Sequence, residues 1–177
     1  MRIIRFINQI LKYSGRKRAE DAMQVALQYS RSLIEASLDP LVTISAEGKI
    51  TDLNTATEMV TGADRASLIG SDFADYFTDP EEARNGYKQV FSQGYVTDYS
   101  LAIRHVSSKV TDVLYNASVY YNAKGEVAGA FAAARDVTER KRAEEAMQAA
   151  LQYSRSLIEA SLDPLVTISA EGKITDL

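Results

Sequence analysis

The 177-residue sequence has no cysteine and a single histidine, His105. Without cysteine there is no disulfide, no thiolate metal site, no cysteine nucleophile and no photochemistry that ends in a cysteinyl adduct. With one imidazole, a dedicated zinc or iron centre lacks the paired ligands it needs, and only a single axial haem ligand stays arithmetically open. No run approaches the roughly eighteen consecutive apolar residues of a membrane span. A glycine-rich phosphate loop, an HExxH helix and a Ser/His/Asp arrangement are likewise missing. The adjacent carboxylates Glu81-Glu82 and Glu144-Glu145 diverge by about 100° on a helix and read as solvated surface rather than an acid/base pair.

Positive charge is scarce outside the start of the chain. The formal net charge is −4, yet residues 1–18 carry six basic groups (Arg2, Arg5, Lys12, Arg16, Lys17, Arg18) and no acid. The acidic remainder offers no basic stripe interleaved with aromatics, which excludes a backbone-tracking nucleic-acid groove. The segment Arg2–Lys12 is too short and too charged for a signal peptide but can form an amphipathic turn or more. It either touches a membrane surface reversibly or packs against a partner helix or the domain.

A repeat organises what is present. Residues 16–53 recur at 140–177, 124 positions later, with only Asp21 changed to Glu145 and Val25 changed to Ala149. Near-identity over 38 positions is the mark of a tandem array, each unit a helix followed by a compact domain. On this reading residues 162–177 are the truncated start of a second unit, an opening hairpin that alone is marginal in water. The expectation is that this hairpin frays, with its Leu165–Ile168 amides poorly protected, or is borrowed by a neighbour's sheet edge.

Within one period, Thr138–Ser161 is free of glycine and proline and rich in helix formers, which predicts one helix of about 36 Å ending before Pro164. Ala146, Ala150, Tyr153, Leu157 and Ala160 fall at alternating spacings of four and three, a coiled-coil seam that Ala22, Ala26, Tyr29, Leu33 and Ala36 repeat. The seam either forms a parallel dimer or packs on its own domain. After Pro40 the period switches to two: Leu41–Ser45 and Ile50–Asn54 around the turn Ala46-Glu47-Gly48-Lys49 read as a hairpin. Short helical pieces follow, the longest starting at Asp79-Pro80-Glu81-Glu82 and running to Phe91. Three longer strands close the domain at Tyr95–Arg104, Val110–Tyr121 and Val127–Val137. The order predicts an α+β fold, one antiparallel sheet with helices over one face.

The succession Ser32-Leu33-Ile34-Glu35, Asp39-Pro40, Glu47-Gly48-Lys49-Ile50, Asn54, Thr61-Gly62, Leu68-Ile69-Gly70, Phe73, Gly125-Glu126-Val127 and Arg135-Asp136-Val137-Thr138-Glu139-Arg140-Lys141 resembles a PAS sensory domain with its connecting helix. The resemblance covers about residues 32–141 and the opening of a second copy. It implies a five-stranded sheet in the order 2-1-5-4-3, a ligand pocket between sheet and helices, and a regulatory role without chemistry of its own. The expected organisation is a basic amphipathic segment at 1–15, a signalling helix at 16–38, a PAS domain at 39–137, a connecting helix at 138–161 and a second PAS start at 162–177. It further implies a cytoplasmic homodimer, either free or associated with a membrane surface through residues 1–12, joined through its helices and relaying to a separate output domain such as a histidine kinase or cyclase. Light-sensing subfamilies that need a reactive cysteine are excluded. Haem-binding relatives usually ligate from the long helix, and Pro80–Gly94 has no histidine. His105, beside Val106-Ser107-Ser108 at a strand end, reads as a loop-bonded imidazole, and it does not resemble a phosphoacceptor.

Alternation places Tyr99, Leu101, Ile103, Val113, Tyr115 and Ala117 toward the helices, with the small Ala130, Ala132 and Ala134 facing the same space. Tyr87, Val90 and Phe91 roof it. The candidate pocket lining is therefore Tyr87, Phe91, Tyr99, Leu101, Ile103, Tyr115, Ala117, Ala132 and Ala134, for an unidentified cofactor; alternatively, aromatics fill the room the alanines leave. The junction Asp136-Val137-Thr138 resembles the family's Asp-x-Thr turn from sheet to helix, where Asp136 either caps the helix and pairs with Arg140 or also transmits sheet distortion into it. Two other functions stay open: a ligand-free dimerising spacer, and a small cone-shaped α+β enzyme that would need an inward carboxylate, which the inward faces lack.

Overall fold

Residues 2–159, 167–169, 171 and 173–176 are described by a computed structural model, with side chains at 17–159, 169, 171 and 173. The amphipathic side chains of 1–15, the seam residue Ala160 and residues 162–166 lie outside the described residues. The chain divides into two units, Met1–Asp136 and Val137–Leu177.

Helix α1 covers Arg2–Glu35 without interruption, so the segment at 1–15 and the signalling helix that starts at 16 share one helix. Its one obstacle, Gly15, costs only about 1 kcal/mol relative to alanine and does not stop a helix. Pro40 forces extended backbone soon afterward, and the chain enters strands β1 (Leu41–Ile44) and β2 (Ile50–Leu53). Helices α2 (Thr55–Thr61) and α3 (Arg65–Leu68) and a 3-10 turn at Phe73–Tyr76 follow. Helix α4 (Pro80–Gln93) begins as the sequence predicts, with proline in its first turn and the Asp79 side chain accepting from the Glu82 N–H. Strands β3 (Tyr95–Arg104), β4 (Val110–Tyr121) and β5 (Val127–Asp136) complete the first unit.

The sheet runs β2-β1-β5-β4-β3, and every neighbouring pair is antiparallel. This is the α+β architecture expected from the order of elements and the strand order that the family resemblance implies. One face carries Ile44, Ile50, Leu101, Ile103, Val113 and Tyr115 into a core shared with Leu68, Phe73 and Val90 of the helices. Strict alternation misses Val96, which is buried because the β3–β4 register shifts between Val96 and Tyr99, where Asp98 has φ 52°. At Gly86 of α4 an added Cβ would lie 2.9 Å from the Tyr99 ring, so the missing side chain lets helix and strand close on each other.

The second unit contains α5 (Thr138–Glu159), which has no buried residue, and a two-stranded sheet of β6 (Thr167–Ile168) and β7 (Ile174–Asp176).

Candidate functional site

The space between sheet and helices is a filled core. What remains is an apolar cavity of about 30 Å³ among Leu68, Phe73, Phe77, Ile103, Tyr115 and Ala134, space for one or two waters rather than a cofactor. Phe73 packs against Phe77 and Tyr115 with ring centroids 4.8 and 5.4 Å apart, filling the room that Ala130, Ala132 and Ala134 leave on β5. Tyr115 is fully enclosed, and burial pushes its phenol far above the ordinary range. The buried polar residues among those described are Asn54, Thr57, Thr61 and Thr111, none of them a carboxylate.

The nine candidate lining residues separate into groups. Ile103, Tyr115 and Ala134 border the small cavity, and Leu101, Ala117 and Ala132 are buried in the core without bordering it. Tyr87, Phe91 and Tyr99 are only partly buried. Tyr87 packs against Phe91 with tilted rings whose centroids are 5.0 Å apart, and it donates its hydroxyl to the Ala46 carbonyl in the hairpin turn. Tyr99 donates to the Glu82 carboxylate, and burial together with that bond pushes its phenol up to about 12.

A wider opening lies at the end of the first unit where the incoming and outgoing segments meet. This groove, about 300 Å³, is bordered by Leu38 and Pro40 before β1, Met59 and Val60 of α2, His105 and Lys109 of the β3–β4 turn, and Asp136 at the end of β5. The segments are joined directly: the Ala134 N–H donates to the Pro40 carbonyl at 3.0 Å, and Arg135 Nε lies 3.9 Å from an Asp39 carboxylate oxygen. Asp136 sits opposite Val113 as the last β5 residue, and Thr138 opens α5. Arg140 has Glu144, one turn on, at 3.8 Å. His105 is bonded within its own turn, its Nδ1 accepting from the Ser107 N–H at 2.9 Å with the Ser107 hydroxyl at 2.7 Å. Its Nε2 lies over Gly62, where an added Cβ would come within 2.3 Å and where φ of 73° independently disfavours any other residue.

Sequence reasoning missed the clamp that holds the end of α1. Asp52 accepts from Arg31 Nη1 at 2.8 and 2.9 Å and also from Arg65, and the Leu53 carbonyl accepts from both arginines at 3.1 and 2.6 Å. Arg31 also pairs with Glu35, whose other oxygen accepts from the Thr55 N–H and hydroxyl, each at 2.8 Å. Burial opposes the Asp52 charge, but the bonds from Arg31, the Leu53 N–H and Arg65 outweigh it and hold the carboxyl below its ordinary value. Glu35 is lowered chiefly by the Thr55 backbone N–H. The i,i+4 spacing of Arg31 and Glu35 was the one available signal; their meeting with Asp52 and Arg65 is set by tertiary structure.

Asn54 is fully buried. Its Oδ1 accepts from the N–H groups of Leu41 and Thr57 at 2.9 and 3.1 Å, and its amide donates to the carbonyls of Ile34, Ser37 and Asp39 at 3.3, 3.4 and 3.0 Å. One side chain thus ties the end of α1, the linker, β1 and α2 together. The seam residues Ala22, Ala26, Tyr29 and Leu33 on α1 and Ala146, Ala150, Tyr153 and Leu157 on α5 are all exposed.

A family model described as the PAS fold matches residues 34–142. Among solved structures, a PAS domain of a protein from Colwellia psychrerythraea is 20% identical, covering 64% of this chain and 98% of that one with a TM-score of 0.57. A PAS domain from a two-component sensor histidine kinase is 14% identical over 64% of this chain and 98% of its own, with a TM-score of 0.56. The PAS domain of an HTR-like protein from Haloarcula marismortui is 20% identical over 68% of this chain and 98% of its own, with a TM-score of 0.55. A search of curated proteins finds no match. No helix among the described residues is long and apolar enough to cross a membrane.

Proposed function

The chain belongs to the PAS family, and from that premise we propose that residues 39–137 are a sensory relay module that couples a ligand or partner at the domain to a helical linker. The relay runs through the Asp136–Thr138 junction into α5 and on to a separate output domain, of which a histidine kinase or cyclase is the type expected. The observation that carries this reading is the bonding of the incoming segment to the outgoing strand, Pro40 to Ala134 and Asp39 to Arg135. A shift of β5 therefore moves both flanking segments together. Such a rigid coupling suits a two-state helical output, because packed helix pairs change between discrete arrangements. The exposed seams of α1 and α5 support pairing of two chains through their helices, since large apolar side chains such as Tyr29 and Tyr153, 66% and 69% exposed, are costly to leave in water. The module is non-enzymatic on this reading, and a weak membrane contact by residues 1–12 would add tethering without altering the relay.

The filled core favours a second reading, in which the module binds no small molecule and only dimerises and spaces its neighbours. Native mass spectrometry of the full chain, repeated after denaturation with a visible absorbance spectrum alongside, separates the two. A dimer that releases a small mass on denaturation supports the ligand relay, and a dimer without one supports the spacer. A monomer at all concentrations overturns both helical readings.

A further inference from the structure

We propose that residues 140–177 of one chain can replace residues 16–53 in the domain of a second copy, laying the Thr167–Ile168 strand against that copy's β5 in place of β1. The two segments are identical at 36 of 38 positions, and the two that differ, Asp21 and Val25, are exposed on α1. Every side chain by which the first copy grips the domain therefore has its counterpart. Arg31, Ile34, Glu35, Ile44, Ile50 and Asp52 recur as Arg155, Ile158, Glu159, Ile168, Ile174 and Asp176.

The second copy is also shaped for the exchange. Its hairpin has the register of the first, Thr167 opposite Asp176 and Ile168 opposite Ile174, as Thr43 is opposite Asp52 and Ile44 opposite Ile50. Arg155 and Glu159 already pair at 2.9 Å, as Arg31 and Glu35 do within the clamp. Ile158 is 54% exposed, whereas Ile34 is partly buried beside Leu41, Leu53 and Phe131. Asn54 grips the first copy largely through backbone carbonyls, which any segment of the same conformation supplies.

Covalent attachment through the Leu53–Asn54 bond gives the first copy the advantage of high effective concentration. Exchange between chains consequently grows with protein concentration and with any weakening of the first copy. Because donor and acceptor surfaces differ, the contact is head-to-tail and propagates or closes into a ring.

The chain's lack of cysteine makes a disulfide test clean. The Pro40–Ala134 bond fixes Thr43 and Phe131 as a non-hydrogen-bonded pair three steps along the ladder, within disulfide reach. The full chain carrying Phe131→Cys and Thr167→Cys is oxidised with and without Ile44→Asp, and the links are read by non-reducing electrophoresis and peptide mass. The expected result is a 131–167 disulfide joining two chains, more abundant at higher concentration. Ile44→Asp should raise it at least about tenfold, the shift produced by a loss of roughly 1.4 kcal/mol in the first copy, and Ile168→Asp should abolish it. In urea titrations without the cysteines, Ile44→Asp alone should keep a cooperative transition that the Ile44→Asp/Ile168→Asp pair lacks. The proposal is overturned if the single and double variants are equally unfolded, if the 131–167 link is absent or indifferent to Ile168→Asp, or if it forms within one chain.

Discussion

Residues 16–53 and 140–177 are identical at 36 of 38 positions, and their hairpins share the local features that the described residues show. Both place the register shift at the same step. The Ser45 N–H donates to the Lys49 carbonyl at 2.8 Å, and the Ser169 N–H to the Lys173 carbonyl at 2.7 Å. The Glu47 and Glu171 N–H groups donate to the Ser45 and Ser169 hydroxyls at 3.3 Å in each case. The surroundings differ. Strand β1 pairs with β5 along Leu41–Ile44, whereas β6 and β7 form a two-stranded sheet of their own. Turn chemistry and register are thus written in the hairpin, while membership of a five-stranded sheet comes from residues about 90 positions away.

The sharpest break in that comparison comes from cutting the same side chain in each copy. Ile44 is completely buried. Ile44→Ala should therefore destabilise the first unit by about 2–5 kcal/mol, while Ile168→Ala should leave that unit's unfolding transition within about 0.5 kcal/mol of the parent. Urea denaturation of the two single variants measures both. Equal effects would mean that the second hairpin already contributes to the first unit's core.

Asn54→Ala should come next, at about 2–3 kcal/mol: roughly 1 for the lost cap of α2, and the rest for leaving the Leu41 N–H, the Ile34 carbonyl of α1 and the Ser37 and Asp39 carbonyls of the linker without their Asn54 partner. Asn54→Asp, which keeps the acceptor and removes the amide donor, separates the contributions. It should retain the helix cap and the Leu41 N–H bond and still loosen the segment from Ile34 to Asp39, read as faster amide exchange at Ser37 with Leu41 still protected.

What could be read in advance follows the same line between local and distant. The β3, β4 and β5 spans and the start of α4 were visible because alternation, the Asn122–Gly125 turn and the Asp79-Pro80 pair act over a few residues. The boundary drawn at residue 16 leaves no mark on α1, because one glycine is a weak stop when good helix formers flank it. The pocket list mixed core with rim: alternation says which side a residue faces, but not that Phe73 and Phe77 reach across to occupy the space opposite the alanines. Neither the Arg31–Asp52–Arg65 clamp nor the junction groove has a sequence signature, since each is assembled from segments that meet only in the folded sheet.

The clamp offers a pH test of the difference between copies. Asp52 and Glu35 have folded-state carboxyls lowered from their ordinary values, so their stabilisation is present above the unfolded carboxylate range and disappears as pH falls through the folded values. The Asp52 side chain is 40% exposed, and solvent screening reduces its pairs to about 1 kcal/mol in total. Asp52→Asn should accordingly lower neutral-pH stability by about that amount and flatten the acid limb of the stability curve, and added salt should shrink the gap. Asp176→Asn should leave the curve of the first unit unchanged. Urea midpoints across the acid range, for both variants, decide it.

The smallest effect belongs to the positions where the copies differ. Val25 is 67% exposed on α1, and its counterpart is Ala149 on α5. Val25→Ala removes no contact with the domain and exchanges a β-branched residue for the best helix former, so the first unit should change by no more than about 0.5 kcal/mol, toward greater stability. Its self-association is the more informative reading. Position 25 lies one residue before the seam residue Ala26, on the flank of the surface proposed to pair. A parallel pair through that seam should lose only a few-fold in affinity with Val25→Ala, whereas Leu33→Ala, on the seam itself, should lose about tenfold or more, as expected for a buried methylene-rich contact worth more than 1.4 kcal/mol. Sedimentation equilibrium of the two variants ranks them. A larger loss at Val25 than at Leu33 would move the pairing surface off the seam and onto the flank where the two copies are not the same.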